Sequence, residues 1–426
     1  MPSSQVPLPA SGSYIRSVRE SCKSLRERAN ITVSTEAIKR LLFSPSFIAT
    51  FERLRVAHGM VMPLNFPSVL AELNVLSLLS LLNFASGYRV PLHQATGRGA
   101  FDNIRAFVFS LYISSSVGDE GDLLSARGMQ TIEEGKVADL MGVAGKIHID
   151  KPHASLPGVT LGELGGPVWE VVEMVTRVLK ETGDFLVKSG YQDLGAFVLE
   201  ALKEGEKVRR RSDDQQGSPE CDVILERLVR AIPAFQDMAI VDGQPVYCFK
   251  KAMLTLHAVA LRFGKSPGST IPIPRTENLP VFSDNVIPSM LVHLGVIDLS
   301  TSEPSFGLRD VFPAAGTQEI LSQLLGDAPP VPDKESASKK QPPREGPILT
   351  AEQAFTLRAA AVDACELIVQ TARGLEESEI RGNGGKELLW LQTITLPEVD
   401  AWIWAVAKDR ADYRALERFV LRSTYF

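Results

Sequence analysis

The chain has 426 residues, 44% of them hydrophobic and 23% charged, which is ample for a large buried core and excludes a disordered chain. Its net charge of −6 also excludes the strongly basic balance with which proteins usually grip a polynucleotide backbone. The densest basic run, Lys207-Val-Arg-Arg-Arg211, is followed at once by Asp213 and Asp214, so direct nucleic-acid contact is disfavoured and a small phosphorylated ligand stays open.

Residues 1–12, rich in Pro and Ser, are expected to be disordered. From Ser13 the apolar residues Ile15, Val18, Cys22 and Leu25 recur three or four apart, the period of an amphipathic helix. Ser34 is placed to cap a helix over 35–42. Helices over 45–58 and 67–84 each open on a proline, and helical patterning continues over 100–113, 168–189 and 193–206. Residues 206–220 are polar and punctuated by Gly, Ser and Pro, as a solvated loop would be. Asp242-Gly243 lies between two apolar runs within 238–249 and predicts a β-hairpin, with Pro245 placing its strand at an edge. The run Lys250–Phe263 returns to helix. Residues 327–347 combine many prolines with low hydrophobicity and predict a flexible insertion. Two helices, 350–372 and 397–409, follow; Thr395 stands just ahead of the second, and Glu398 complements its dipole.

The fold class is therefore mainly α: a single compact helical domain over 13–426 with a small β-hairpin and flexible loops at 206–220 and 327–347. The four cysteines lack CxxC spacing and read as reduced intracellular thiols. No secretory signal is evident. The most apolar stretch, Leu73 to Phe84, falls short of the roughly 20 apolar residues that a bilayer span needs. A cytoplasmic protein without membrane contact is expected.

No P-loop, dinucleotide fingerprint, HExxH or GxSxG motif occurs, and the six histidines lack metal-ligand spacing, so neither metal nor cofactor is expected. Gly97-Arg98-Gly99 can offer backbone N–H groups and a guanidinium to an anion, or can simply lead into a helix. His58, just before Gly59, can project from a helix end toward a ligand or merely close the helix. Phe282 and Asp284 precede an apolar helical run. Phe can stack on a heterocycle and Asp can accept from a base edge or an ammonium, while Asp284 is equally placed to cap the helix. Asp400 and Trp404, four apart, share a helical face. Two of the four tryptophans lie in this stretch, which suits a ring-binding pocket or a buried aromatic stripe.

Together these segments resemble the queuosine salvage family, whose members release queuine from queuosine 5′-phosphate. The resemblance is strongest over 224–300, in Ala231-Ile-Pro-Ala-Phe-Gln-Asp237, Val246-Tyr-Cys-Phe-Lys-Lys-Ala252 and the block Phe282-Ser-Asp284, Pro288, Leu291-Val-His-Leu-Gly295. The family writes that block Phe-Ala-Asp, three residues, Pro, then Leu-x-x-Leu-Gly. Leu357-Arg358 and Arg422-Ser-Thr-Tyr425 also fit. Where the family has a pattern close to Asp-Tyr-Tyr-Leu-Trp-Asp, this chain has Asp400-Ala-Trp-Ile-Trp404-Ala405. The first acid and the Trp are kept; the second acid has become Ala405.

The resemblance implies a DNA-glycosylase-like helical fold and an N-glycosidase that needs no cofactor, with queuosine 5′-phosphate as substrate and queuine as product for tRNA modification. Cleavage passes through an oxocarbenium-like sugar cation, which a carboxylate can stabilise. Queuine is a 7-deazaguanine, so protonation at N7 is unavailable to the leaving group and sugar-side electrostatics carry more of the work. The resemblance assigns catalysis to Asp400 and Asp284, and substrate binding to His58, Phe282, Asp284, Asp400 and Trp404. Lys250, Lys251 and Arg358 are candidates for the 5′-phosphate. With Ala405 in place, Asp400 or Asp284 supplies the missing charge; the alternative is a queuine- or nucleotide-binding protein without turnover. An acid restored at 405 is expected to raise turnover if that position faces the cavity.

Overall fold

A computed structural model describes residues 6–56, 62–117, 121–212, 218–265, 270–329, 343–384 and 386–426. The fold is mainly α and compact, with three two-stranded antiparallel pairs among the described residues. Helix boundaries follow caps that are visible in the sequence. Ser34 accepts the Ala37 N–H at 3.0 Å and starts α2 (Thr35–Leu42), after α1 (Tyr14–Arg28). Ser44 and Ser68 do the same for α3 (Pro45–Leu54) and α4 (Val69–Leu81). The expected helices at 100–113 and 193–206 run longer than their apolar period, as Ala100–Val117 and Leu194–Arg211. The loop expected over 206–220 therefore shrinks, since the Lys207–Arg211 run stays helical and the next helix opens at Pro219. Arg210 remains solvated there beside Glu206, while Arg209 donates to the Ile273 carbonyl at 2.9 Å.

The hairpin pairs β-strands Met238–Val241 and Gln244–Tyr247 as expected, and its turn residues Asp242 and Gly243 both have positive φ (50° and 71°). The other two pairs were not foreseen. Thr32–Val33 pairs with Ile297–Asp298, two short segments far apart in sequence. His148–Pro152 pairs with Thr160–Leu164 in a hairpin that is exposed on every residue, so it leaves no alternation to read. The N-terminal segment also differs from expectation over residues 6–12. Val6 and Leu8 pack on the core, and the Tyr247 hydroxyl donates to the Pro7 carbonyl at 2.8 Å.

Three apolar helices form the centre: Val69–Leu81, Val286–His293 and Ala351–Arg373, each buried over most of its surface. The last packs on Tyr14–Arg28, and Leu396–Asp409 packs on Pro45–Leu54 and Val286–His293. Among the described residues no single helix is long and apolar enough to cross a membrane.

Candidate functional site

A cavity of about 810 Å³, a size suited to a nucleotide, opens between the segment 83–109, the start of Lys250–Phe263, residues 284–286 and the C-terminal segment from Trp404 onward. Asp237 builds the first part of its wall. Its backbone carbonyl accepts the N–H groups of Cys248 and Phe249, at 3.0 and 3.2 Å, and its carboxylate accepts the Lys250 N–H at 3.1 Å. Phe249 takes a left-handed conformation (φ 43°) to make this turn. Lys250 is thereby aimed at Asn83, donating to its carbonyl at 2.6 Å and its side-chain oxygen at 2.7 Å. Burial lowers the Lys250 pKa to about 8, although Asp284 pulls the other way.

Asp284 does both things that its position allowed. Its Oδ1 accepts the Val286 and Ile287 N–H groups at 2.6 and 3.3 Å, capping the helix, and the residue also lines the cavity. Asp400 lies close by in the fold but off the wall: 3% exposed, it accepts the Phe282 N–H at 2.6 Å. Phe282 turns inward as well, with its ring centroid 5.3 Å from that of His257.

Two of the three phosphate candidates are committed elsewhere. The fully buried Arg358 donates to both oxygens of Asp237, at 2.8 and 2.5 Å, and to the Ser283 carbonyl at 2.9 Å. Lys251, equally buried, donates to the Thr424 carbonyl at 2.6 Å and lies 5.0 Å from the Phe84 ring. Neither lines the cavity. A cation taken out of water must find its partner within the fold, and both have done so. His58 lies outside the described residues.

Trp404 lines the cavity, with Phe101 edge-on at 5.8 Å and the Lys408 Nζ 3.0 Å from its ring centroid. Ala405 does not; it is 7% exposed and belongs to the core. One turn of helix brings Trp404, Ala407 and Lys408 to the wall, and position 405 falls to one side of it.

The remaining wall is cationic. Gly97, with φ 73°, ends the helix Arg89–Thr96, and Gly97-Arg98-Gly99 lines the cavity at the start of Ala100–Val117. Arg105 pairs with Asp102 at 2.9 Å. Arg418 is 8% exposed; it donates to the Ala407 carbonyl at 2.8 Å, while its Nε has no hydrogen-bond partner among the described residues. Burial lowers its pKa to about 9 and lowers that of Arg89 also. Lys408 is open to the cavity yet ringed by protein, and this loss of bulk water, then the Arg418 charge, lowers its pKa to about 7. Arg89, Lys408 and Arg418 carried no motif; only the Gly97-Arg98-Gly99 triplet marked this wall in the sequence. Among the described residues no group of three or more His, Cys, Asp or Glu side chains could hold a metal ion.

Residues 176–304 match the family model of the queuosine salvage protein. The match takes in Lys250 and Asp284, and it supports both the family resemblance and a role in queuosine salvage. It stops short of the cationic wall at either end of the chain. No curated protein matches the chain.

Proposed function

We propose that the protein hydrolyses the N-glycosidic bond of queuosine 5′-phosphate and releases queuine in the cytoplasm, acting on the free nucleotide rather than on RNA. The observation that carries this reading is a carboxylate, Asp284, on the wall of a nucleotide-sized cavity in which cations outnumber acids. Asp102, the other acid on that wall, is already paired with Arg105.

In this reading Asp284 faces the sugar. Its charge stabilises the oxocarbenium-like transition state and orients the attacking water, an effect present far more in the transition state than in the ground state. Asp400 is a positioning residue that holds the segment carrying Asp284. Trp404 supplies a surface for the base. Arg418, with Arg89 and Lys408 nearby, replaces Arg358 and Lys251 as the cationic ground for the 5′-phosphate, and Lys250 stays a candidate.

A second reading, binding of the nucleotide without turnover, draws on Ala405 standing where the family pattern has an acid. Because Ala405 is off the wall, its lost carboxylate takes no charge from the cavity, and the hydrolase reading is preferred. Incubation of the purified protein with queuosine 5′-phosphate, followed by mass spectrometry of free queuine, separates the two.

A further inference from the structure

Lys408 stands on the ring that the proposed reading gives to the base. Its Nζ is 3.0 Å from the Trp404 centroid and 5.5 Å from that of Phe101. Stacked aromatic rings need centroids roughly 4.5–7 Å apart, so no heterocycle can share the face on which the ammonium rests. Phe101 meets Trp404 edge-on at 5.8 Å.

The ammonium rests there for lack of anything better. No carboxylate forms an ion pair with it and no hydrogen-bond acceptor among the described residues holds it; the charges of Asp102 and Asp284 act on it only at longer range. Arg418, tied to the carbonyl of the adjacent Ala407, presents a second positive charge with an unpartnered, buried Nε. Two cations facing one cavity repel each other. An anion between them would cancel that repulsion, give Lys408 the acceptor it lacks and offer one to the Arg418 Nε. The four-carbon stem of Lys408 gives its head the reach to move without disturbing the helix.

We propose that Lys408 is the specificity-determining residue of the cavity: its ammonium covers Trp404 until a phosphate monoester beside Arg418 draws it away and frees the ring for the base. This rests on the reading of Trp404 as the base platform. A nucleoside or free base meets a covered ring, whereas a nucleoside 5′-monophosphate uncovers the ring as it binds. Recognition of the phosphate and of the base is thus coupled through one side chain.

Two measurements test this on the full chain. Inorganic phosphate, titrated while tryptophan emission is followed, should give a saturable change in the wild type that is lost in Trp404→Phe and Lys408→Ala and kept in Lys408→Arg. Calorimetry with queuine, queuosine and queuosine 5′-phosphate should show wild type preferring the nucleotide over the nucleoside by about tenfold or more, the scale of one cation–π contact plus one charged contact. In Lys408→Ala that preference should collapse, with queuine and queuosine binding more tightly than to wild type. A phosphate titration without any change in wild type, or a Lys408→Ala protein that weakens on all three ligands by the same factor, overturns the proposal. Hydrolysis of queuosine 5′-phosphate with an unchanged nucleotide preference in Lys408→Ala sinks Lys408 alone. A Lys408-dependent phosphate response without any queuine release sinks the hydrolase reading and leaves Lys408 standing.

Discussion

The carboxylate of Asp400 accepts the backbone N–H of Phe282 at 2.6 Å, joining residues 118 positions apart in the sequence. Two residues further on, Asp284 caps the helix Val286–His293 and faces the cavity. The two acids divide the labour: one fixes the segment, the other is presented by it. Asp400→Asn keeps an oxygen for the Phe282 N–H and should retain both fold and KM. Asp400→Ala leaves a buried donor without that acceptor and should cost about 1–3 kcal/mol in denaturant unfolding. Equal, complete loss of turnover in both variants, with stability unchanged, would make Asp400 a catalytic residue instead.

Arg358 should behave as a structural ion-pair partner. Arg358→Ala strands the buried Asp237 charge and should lower stability by about 3–5 kcal/mol in urea unfolding. The loss should appear in soluble yield and melting before any ligand is added. A stable Arg358→Ala protein with an affinity defect confined to phosphorylated ligands would restore Arg358 to the phosphate site.

Helices were legible here because their signals are local. Ser34 and Pro45 mark starts, and the period of Ile15, Val18, Cys22 and Leu25 marks a buried face. The hairpin at Asp242-Gly243 is equally local. The cavity is not: Arg89, Lys250, Asp284, Lys408 and Arg418 come from separate segments, and no spacing announces their meeting. Phe282, Arg358 and Lys251 show the other side of this. Each has the right chemistry for a nucleotide, but the fold had already given each a partner: His257, Asp237 and the Thr424 carbonyl.

Anion affinity should fall as pH rises. Lys408 and Lys250 have pKa values lowered to about 7 and about 8, chiefly by burial, so both carry charge below that interval and lose it above. Sulfate suits the test, since its own charge is constant over this range. Its affinity should decline between about pH 6 and about pH 9, and less so in Lys408→Arg. For stability the sign reverses: the unfolded chain keeps these protons to about pH 10.4, so the contribution of both lysines to stability rises with pH above their folded values. Sulfate binding that is flat or rising with pH would exclude these lysines from the anion site.

An acid at position 405 should not improve the protein. Ala405 packs in the core beside the cavity wall, so Ala405→Asp would bury a carboxylate among apolar side chains. A stability loss of about 1–3 kcal/mol with no gain in turnover is expected from thermal unfolding and steady-state kinetics. A tenfold gain in turnover would place position 405 on the reacting face.

If Asp284 carries the hydrolysis, its charge governs the release of queuine from queuosine 5′-phosphate. Wild type and Asp284→Asn, matched for folding by circular dichroism, would be compared by mass spectrometry of the free base. Asn keeps a side-chain oxygen for the helix cap while removing the charge, so the variant should fold and bind yet lose on the order of 10²–10³ in turnover. Full turnover by Asp284→Asn would take the hydrolysis away from Asp284, and no queuine from wild type despite measurable binding of the nucleotide would make the protein a binder without turnover.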